Sequence, residues 1–419
     1  MLHIDEVCDR PGLLDLHDAL TIALSVVAPV AQRETIPLCA CAGRVTTAAA
    51  LSAIPLPPFD QSAVDGYGIH ADDVGEAKTG PFRIVGRLVA GPQRTLTLSK
   101  GETVRLLTGA AIPKGVAAVV MEEKATAGEQ DVTIGRPAEA GLNIRRAGED
   151  VGEHTDIIEA GTLIDARHVA ILAASGAAHV KVRRRIHVAV LSTGDELVRA
   201  GRARHRHQIY DSNGPMLQAL FASPAVELRG LGCCADDPAR LVRQMTRAAG
   251  VFDLLICSGG VSGSDADHVM ASVLGAGGSC TKLSLALKPG KPLALGRIGS
   301  MAVLALPGNP VAALVGALLF ARPMLQALAG QTAPNHATMI GKAATTFGHR
   351  LGRTEFVPVR IVGHDEQGTP LLEKLGRGGS ARLRPLVLAD GLGSIPGESD
   401  DLPAGARLRF YPFRTAFTL

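Results

Sequence analysis

The segment IHVAVLSTGDE, residues 186–196, is an unbroken apolar run that ends in hydroxyl, glycine and acidic residues. A continuous apolar run is typical of a central parallel strand that is covered on both faces. Runs of similar form follow at 253–260 and 301–309, and the segment 226–231 is strand-like, with helical patterns between them. Strands that alternate with helices predict a doubly wound α/β sheet, which we assign to residues 186–334.

Two prolines mark predicted helix starts within this unit. Asp237-Pro238 combines a side chain that caps free backbone amides with a residue that needs no amide hydrogen. A second helix starts at Pro310 and continues through the apolar stretch 311–321. A membrane span needs about 20 apolar residues, so we predict a buried helix and no membrane contact.

The flanking regions have different patterns. Apolar residues recur at helical spacing in 12–50 and again in 162–178, whereas the intervening chain is rich in glycine, proline and short β-type runs. A β-type pattern returns near the C-terminus. The predicted domains are an elongated N-terminal helical domain (1–54 and 153–185), an inserted β-rich domain (55–152), the α/β domain (186–334) and a C-terminal β barrel or sandwich (335–419).

The composition limits the classes of function. Aromatic residues make up 3% of the 419 residues and tryptophan is absent, which argues against a stacking platform for single-stranded nucleic acid. A formal net charge of +3 is too balanced for a nucleic-acid coat protein. The seven cysteines form no CxxC pair and no secretory signal pattern is present, which favours reduced thiols in a cytoplasmic protein.

Basic residues form two local clusters, one at 183–185 and one at 202–207. Each cluster has two interpretations that the sequence leaves open. The residues lie on solvated loops, or they form a rim that attracts an anionic substrate.

Small and polar residues follow three of the predicted strands, at the sheet edge where ligands of such folds bind. Glycine lets backbone amides approach an anion closely, and the start of the next helix adds partial positive charge, so we predict a phosphate or oxyanion site. A tight turn without a ligand is the alternative. The sequence has no GxxxxGK[ST] motif, so a P-loop NTPase is not supported. The residues are Ser192, Thr193, Gly194, Ser258, Gly259, Gly260, Ser262, Pro307, Gly308 and Asn309.

Carboxylates gather at the same predicted edge. They repel one another unless a cation neutralises them, and a hard ion such as Mg²⁺ takes oxygen ligands that it shares with a substrate phosphate. Asp237 has a competing interpretation as a helix cap, and Asp195 as a turn residue. The predicted group is Asp195, Glu196, Asp236, Asp237, Asp265 and Asp267.

Lys288 and Lys291 lie in the segment KPGKP, in which proline and glycine make a rigid cationic loop. Such a loop is suited to neutralising an oxyanion, and an ordinary surface loop is the alternative. The β-rich domain carries Asp65 in an Asp-Gly-Tyr turn, Thr108, and the segment NIRRAGED (143–150). Its Arg145 is suited to binding phosphate, or to pairing with Glu149 or Asp150.

Taken together, the motifs resemble the MoeA family of molybdopterin molybdotransferases, which is similar to the E domain of gephyrin. The matching segments keep the family's order from residue 55 to about 315. They are PLPPFDQSAVDGYG, RLLTGAAIPKG, NIRRAGEDV, VAVLSTGDELV, QIYDSNGPML, ADDP, ICSGGVSGSDADH, LALKPGKPLALG and LALPGNPVAAL.

The resemblance implies a four-domain subunit that forms a homodimer, with the active site between the α/β domain of one subunit and the β-rich domain of the other. It implies that adenylylated molybdopterin and molybdate are the substrates, that AMP is released and that Mg²⁺ is required. Further expected partners are the molybdopterin adenylyltransferase and downstream cofactor-maturation proteins.

Residue roles follow from the resemblance at matching positions. Arg353 and Ser380 match more weakly than the rest, and Ser284 and Gln61 depart from the family pattern. The expected catalytic residues are Asp65, Asp150, Glu196, Asp267, Lys288 and Lys291. The expected substrate-binding residues are the ten at the strand ends together with Thr108, Arg145, Arg353 and Ser380. The expected metal ligands are Glu196, Asp237 and Asp267.

Two alternatives to a molybdotransferase remain. The adenylyltransferase of the same pathway shares the central domain, but it needs no further domains, so the length of 419 residues disfavours it. A non-catalytic scaffold that binds molybdopterin is the second alternative, which the intact set of acids disfavours.

Overall fold

The computed structural model describes residues 12–75, 78–92, 95–261, 268–332, 338–376 and 382–414. The N-terminal half is built mainly from short strands, with two helices. Its elements are α1 (Leu16–Ser25), β1 (Arg33–Pro37), β2 (Ala50–Leu51), β3 (Gln61–Ser62), β4 (Gly66–His70), β5 (Phe82–Leu88), β6 (Glu102–Leu106), β7 (Val116–Met121), β8 (Ala125–Ala127), β9 (Asp131–Ile134), β10 (Ile144–Arg145), β11 (Asp156–Ile158), α2 (Ala166–Ala174) and β12 (His179–Arg183).

The prediction of a β-rich unit between the two N-terminal segments is confirmed. Six strands form one sheet in the order β7-β4-β6-β5-β9-β8. Tyr67, Ile69, Phe82 and Val120 pack together in an apolar core on this sheet. The domain boundaries themselves stay a prediction.

The prediction of helical structure across residues 12–50 is too long. Helix α1, which Asp15 caps by accepting a hydrogen bond from the Asp18 amide at 2.8 Å, ends at Ser25. Pro29 follows, and its ring disfavours helical backbone in the residue before it. The chain then pairs as β1 with β12 and as β2 with β11, so strand pairs as well as helices build this region.

The α/β domain follows the predicted alternation. Its elements are β13 (Ile186–Thr193), β14 (Leu197–Val198), β15 (Ile209–Tyr210), α3 (Asn213–Phe221), β16 (Val226–Cys234), α4 (Pro238–Ala249), β17 (Leu254–Ser258), α5 (His268–Gly275), β18 (Ser279–Ser284), β19 (Leu287–Lys288), β20 (Pro292–Ile298), β21 (Met301–Leu306), α6 (Pro310–Gly316) and α7 (Arg322–Leu328). The sheet order is β16-β13-β17-β21-β20-β18, with the first four strands parallel. Apolar residues are buried on both faces of the sheet, as the continuous runs predict.

The helical stretch that starts at Pro310 is longer than the sequence pattern predicts. It runs from Pro310 to Leu328, because a π-helical turn at Ala317–Ala321 joins α6 to α7. Its 19 residues have a mean hydropathy of 1.7, long and apolar enough to cross a membrane. However, 78% of its most apolar window is buried inside the protein, so it is a core helix, as predicted.

The C-terminal region is a barrel rather than a sandwich. Its elements are β22 (Met339–Ala343), β23 (Thr354–His364), β24 (Pro370–Lys374), α8 (Leu383–Leu388), β25 (Gly391–Ile395) and β26 (Arg407–Pro412). The order β23-β24-β22-β26-β25 closes because β25 also pairs with β23. Strand β19 pairs with the first two residues of β23, Thr354 and Glu355, and this pairing attaches the lysine loop of the α/β domain to the barrel.

Candidate active site

A cavity of about 440 Å³ lies at the carboxyl ends of the parallel strands of the α/β domain. The loops after β13, β17 and β21 form it, as the sequence predicts, and α3 closes one side. The Gly259 amide donates to the Leu306 carbonyl oxygen at 3.0 Å, so two of the loops are tied together. The predicted residues that line the cavity are Thr193, Gly194, Glu196, Ser258, Gly259, Gly260, Pro307, Gly308 and Asn309.

Asn213, which sequence reasoning did not single out, connects these loops. Its side-chain amide donates to Ser258 Oγ at 2.7 Å and to the Gly308 carbonyl oxygen at 2.8 Å. It lies in the QIYDSN motif at the start of α3 and is buried. An asparagine directly after two polar residues is a signal that could have found it.

Several buried polar atoms at this site have no hydrogen-bond partner among the described residues. They are Ser192 Oγ, Thr193 Oγ1, Asn213 Oδ1 and Asn309 Oδ1. Buried polar groups are usually paired, and leaving one unpaired costs about 1–3 kcal/mol. Their concentration around one cavity indicates a polar ligand.

The glycines of the cavity allow backbone to pack against backbone. Gly259 has φ +101° and Gly260 has φ +68°, values that side-chain-bearing residues rarely adopt. A Cβ on Gly259 would overlap with the Thr193 carbonyl oxygen, and one on Gly260 would lie 2.7 Å from Val269 Cγ2. The loop therefore needs glycine at both positions.

Three of the predicted carboxylates lie near one another. The Asp236 amide donates to Asp195 Oδ1 at 3.0 Å, and burial together with the charges of Asp195 and Glu196 raises the pKa of Asp236. Glu196 and Asp236 both line the cavity. Asp237 instead caps α4 by accepting a hydrogen bond from the Arg240 amide at 3.1 Å, in agreement with its competing interpretation.

A second cavity of about 400 Å³ opens between the α/β domain and the barrel. It adjoins the first, because Pro292, Pro307 and Asn309 line both. Five basic residues surround it, of which Lys288, Lys291 and Arg353 were predicted. Lys374 and Arg382 complete the group. We call this second cavity the basic cleft.

Glu355 is the one acidic residue on the lining of the basic cleft in the described part of the chain. It pairs with Lys288 across β19 and β23, at 3.1 Å between Oε1 and Nζ. The residue is 4% exposed, and its Oε2 has no partner among described residues. Burial lowers the pKa of Lys374, and Glu355 opposes this change. Sequence reasoning missed Glu355, although an acid before the apolar run 356–357 was a signal.

The predicted residues of the β-rich domain line neither of these cavities. Asp65 accepts hydrogen bonds from the amide and the hydroxyl of Thr108, both at 2.7 Å, which lowers its pKa. Arg145 Nε donates to Glu149 Oε1 at 2.8 Å, one of the pairings that the sequence left open. Asp150 is exposed. Within one chain these residues and the strand-end cavity are therefore not brought together.

The remaining predicted residues have other outcomes. Ser262, Asp265, Asp267 and Ser380 lie outside the described residues. The basic cluster at 183–185 is partly structural, because Arg184 pairs with Asp253 at 2.8 Å and Arg183 donates to the Ala329 carbonyl oxygen at 3.0 Å.

The fold and the site define a multidomain α/β protein with a polar cavity at the strand ends of its sheet and an adjoining cleft lined by five basic residues. Three family descriptions match consecutive parts of the chain. They are the "MoeA N-terminal region (domain I and II)" over 14–176, the "Probable molybdopterin binding domain" over 189–327 and the "MoeA C-terminal region (domain IV)" over 341–413.

Relatives match over almost the whole chain. The molybdopterin molybdenumtransferase of Haemophilus influenzae is 33% identical over 405 residues, covering 96% of this chain and 99% of the relative. A protein of the same name from Nostoc is 35% identical over 303 residues, covering 71% and 70%. A crystal structure of a molybdopterin biosynthesis MoeA protein from Pyrococcus horikoshii superposes with a TM-score of 0.78 at 28% identity, covering 96% and 100%. The chain belongs to the MoeA family.

Proposed function

We propose that the protein is a molybdopterin molybdotransferase, which inserts molybdate into adenylylated molybdopterin and releases AMP. Membership of the MoeA family and the names of its curated relatives support the transferase assignment. The observation that carries the substrate assignment is the junction of the strand-end cavity, with its unpartnered polar atoms, and the basic cleft.

The two cavities suit the two substrates. The loop at Ser258, Gly259 and Gly260, together with the unpaired Thr193 hydroxyl beside it, holds the phosphate of the pterin nucleotide, as glycine loops at strand ends do. Lys288, Lys291 and Arg353 of the basic cleft hold molybdate beside it, because tetrahedral oxyanions need fixed positive charge. Ser192, Thr193, Gly194, Pro307, Gly308 and Asn309 shape the pterin nucleotide site. Ser262 and Ser380 stay predicted binding residues.

The chemistry is phosphoryl cleavage. A water oxygen attacks the adenylyl phosphorus, the bond from that phosphorus to the bridging oxygen breaks, and AMP and the molybdopterin phosphate monoester are formed. If a molybdate oxygen attacks instead, the first product is an anhydride of AMP and molybdate, which water then hydrolyses to AMP and molybdate. In either case molybdate binds the dithiolene sulfurs of molybdopterin and loses oxide as water.

Two described side chains with a hydroxyl or thiol group donate to carboxylates, Thr108 to Asp65 at 2.7 Å and Cys233 to Asp211 at 3.6 Å. The lowered pKa of Asp65 makes it a weak base, and burial raises the pKa of Cys233 to about 11, which disfavours the thiolate. In this proposal positioning and charge neutralisation therefore carry the reaction.

The acidic residues fit a magnesium ion that the substrate helps to hold. Burial and the charges of Asp195 and Glu196 raise the pKa of Asp236, so a cation there would relieve repulsion. No group of three or more His, Cys, Asp or Glu side chains that could hold a metal occurs among the described residues. Mg²⁺ commonly takes one or two carboxylates and completes its shell with phosphate and water. Glu196 and Asp236 would hold it, and Asp237 and Asp267 stay predicted ligands. When bound, the ion neutralises developing negative charge on the phosphate.

The β-rich domain acts in trans in this proposal. Asp65, Thr108, Arg145 and Asp150 would complete the site of the partner subunit in a homodimer, since neither cavity of their own chain includes them. The protein would work in the cytoplasm, between the adenylyltransferase that supplies its substrate and the proteins that receive the cofactor.

The test is a reconstitution with adenylylated molybdopterin, molybdate and Mg²⁺, in which AMP release is followed. We expect turnover by the wild type and a loss of about 100-fold in Glu196→Gln, because the substitution removes a charge at the cavity without adding bulk. Glu129→Gln is the matched control, since Glu129 is exposed in a turn of the β-rich domain. A wild type that releases no AMP contradicts the proposal, and ATP-dependent adenylylation of molybdopterin would indicate the adenylyltransferase instead.

A further inference from the structure

The loop 199–208 is the most basic exposed segment beside the strand-end cavity. Its sequence, RAGRARHRHQ, contains four arginines and two histidines and no acidic residue. All of these basic residues are exposed. We call this loop the arginine collar.

The arginine collar is held at the mouth of the strand-end cavity by two short parallel strands. Strand β14 precedes it and β15 follows it, with Leu197 paired to Ile209. Leu197, Ile209 and Tyr210 line the cavity, so the two strands that flank the collar form part of the cavity wall. Burial raises the pKa of the Cys233 thiol to about 11, and Arg199 lies close enough for its positive charge to oppose this rise.

The collar is a folded loop, and most of its positively charged side chains form no ion pair with the described residues. Arg204 donates to the carbonyl oxygen of Gln208 at 2.8 Å, the Arg202 amide donates to the Arg199 carbonyl oxygen at 3.1 Å, and the Tyr210 hydroxyl donates to the Arg202 carbonyl oxygen at 3.2 Å. The guanidinium groups of Arg199, Arg202 and Arg206 form no salt bridge with any described carboxylate. Three unneutralised charges therefore face solvent beside a cavity built for an anion.

We propose that the arginine collar captures the polyanionic pterin nucleotide and guides it into the strand-end cavity, an inference that rests on the proposed function. Arg199, Arg202 and Arg206 supply the attraction, and Arg204 keeps the loop folded. A charged rim on a cleft raises the encounter rate of an opposite charge by about 10- to 1000-fold, and salt screens the effect. The collar acts on substrate capture and leaves the chemical step unchanged.

The experiment compares two triple variants that remove the same charge from the same domain. The collar variant is Arg199→Gln, Arg202→Gln and Arg206→Gln, which retains Arg204. The control variant is Arg240→Gln, Arg243→Gln and Arg247→Gln on the exposed face of α4. Those three arginines line a separate groove that shares no residue with the strand-end cavity.

Two readouts are measured with free adenylylated molybdopterin between 0.05 and 0.5 M salt: equilibrium binding without molybdate, and kcat and KM for AMP release. At low salt we expect about a ten-fold fall in affinity and in kcat/KM for the collar variant, with kcat retained, and less than a two-fold change for the control variant. The difference should shrink to less than two-fold at the highest salt.

The outcomes separate the two proposals. Equal losses in the two variants, or a loss that salt does not reduce, overturn capture by the collar and leave the transferase assignment intact. Salt-dependent binding that differs between the variants, without AMP release by the wild type, contradicts the transferase assignment and supports the collar. A collar effect seen only when the adenylyltransferase delivers the substrate, and not with free substrate, overturns capture and indicates contact with an acidic protein surface.

Discussion

The strand-end cavity of the α/β domain differs from the group Asp65, Thr108, Arg145 and Asp150, which we call the polar face of the β-rich domain, in how far its polar side chains are paired. In the cavity, Ser192, Thr193 and Asn309 present buried side-chain oxygens that no described residue satisfies. In the β-rich domain, Asp65 is satisfied by Thr108, and Arg145 by Glu149. The cavity is therefore incomplete without a ligand, whereas the polar face of the β-rich domain is complete in the single chain.

This difference separates two ways of building a binding surface. Unpaired buried groups lose little desolvation energy when a ligand arrives, because they have already left water. Exposed pairs such as Arg145 and Glu149 are already hydrogen-bonded and solvated, so a ligand must replace one partner of the pair or bind beside it. We infer that the α/β domain contributes most of the affinity and the β-rich domain contributes orientation.

The largest expected effect is that of Gly259→Ala in the strand-end cavity. The substitution places a Cβ against the Thr193 carbonyl oxygen at φ +101°. We expect it to lower the free energy of unfolding by about 2–4 kcal/mol and AMP release by about 100-fold, because the loops must move apart. Denaturant unfolding and the reconstituted assay measure both.

Gly141→Ala in the β-rich domain is the matched control. Gly141 has φ +83°, and a Cβ there would meet nothing within 4 Å. It therefore carries backbone strain of about 1–2 kcal/mol without the clash, and activity should be retained. Equal losses of activity in the two variants would show that strain alone, and not the close approach of the loops, matters.

An effect of intermediate size on AMP release is expected in heterodimers that combine two differently substituted subunits. If the β-rich domain completes the partner's site, a heterodimer of an Asp65→Asn chain and a Glu196→Gln chain keeps one intact site and about half of the wild-type activity. A heterodimer of a wild-type chain and a chain with both substitutions keeps none. Two affinity tags allow each heterodimer to be purified before AMP release is measured.

The reverse result decides against the shared site. If all residues act within one chain, the heterodimer of two single variants is inactive and the one with the doubly substituted chain retains about half of the activity. The comparison needs no knowledge of dimer affinity, because both species carry the same two substitutions. A monomeric protein in solution would also contradict the proposed arrangement.

Three strands of the α/β domain, β13, β17 and β21, were predictable because each is a buried parallel strand with a continuous apolar run, as in 186–193 and 301–306. The strands that replace the predicted helix after Ser25 could not be predicted in this way, because β1 pairs with β12, a segment far away in the sequence. Spacing within a segment carries no information on such a pairing.

The candidate site divides in the same way. Glycines after strands, and the lysines of the segment KPGK, follow local rules and were found. Glu355 was missed because its role depends on a register between β19 and β23, and Asn213 because its hydrogen bonds connect the start of α3 to two loops that are distant in sequence. For Asp237 the local rule was the better guide. Its side chain caps α4, as the Asp-Pro pair indicated, although its position near other acids had also suggested a metal ligand.

The smallest expected effect is that of Thr108→Val on the pKa of Asp65. The hydrogen bond from the Thr108 hydroxyl is the main cause that lowers this pKa, and the one from the Thr108 amide is the second. Valine removes only the first, so the pKa of Asp65 should rise toward its ordinary value without reaching it. Carbon-13 NMR titration of the carboxyl group measures the shift directly.

The sign of the pH dependence follows from the same hydrogen bonds. A carboxylate whose folded pKa is lowered stabilises the fold above its unfolded pKa, and this contribution is lost as the pH falls through the folded pKa. Wild type and Thr108→Val should therefore differ in thermal stability near neutral pH and converge in acid. Thr133→Val, on the exposed face of β9, should shift neither quantity. An unchanged Asp65 titration in Thr108→Val would mean that the amide alone holds the carboxylate, and that the polar face of the β-rich domain is less tightly satisfied than its geometry indicates.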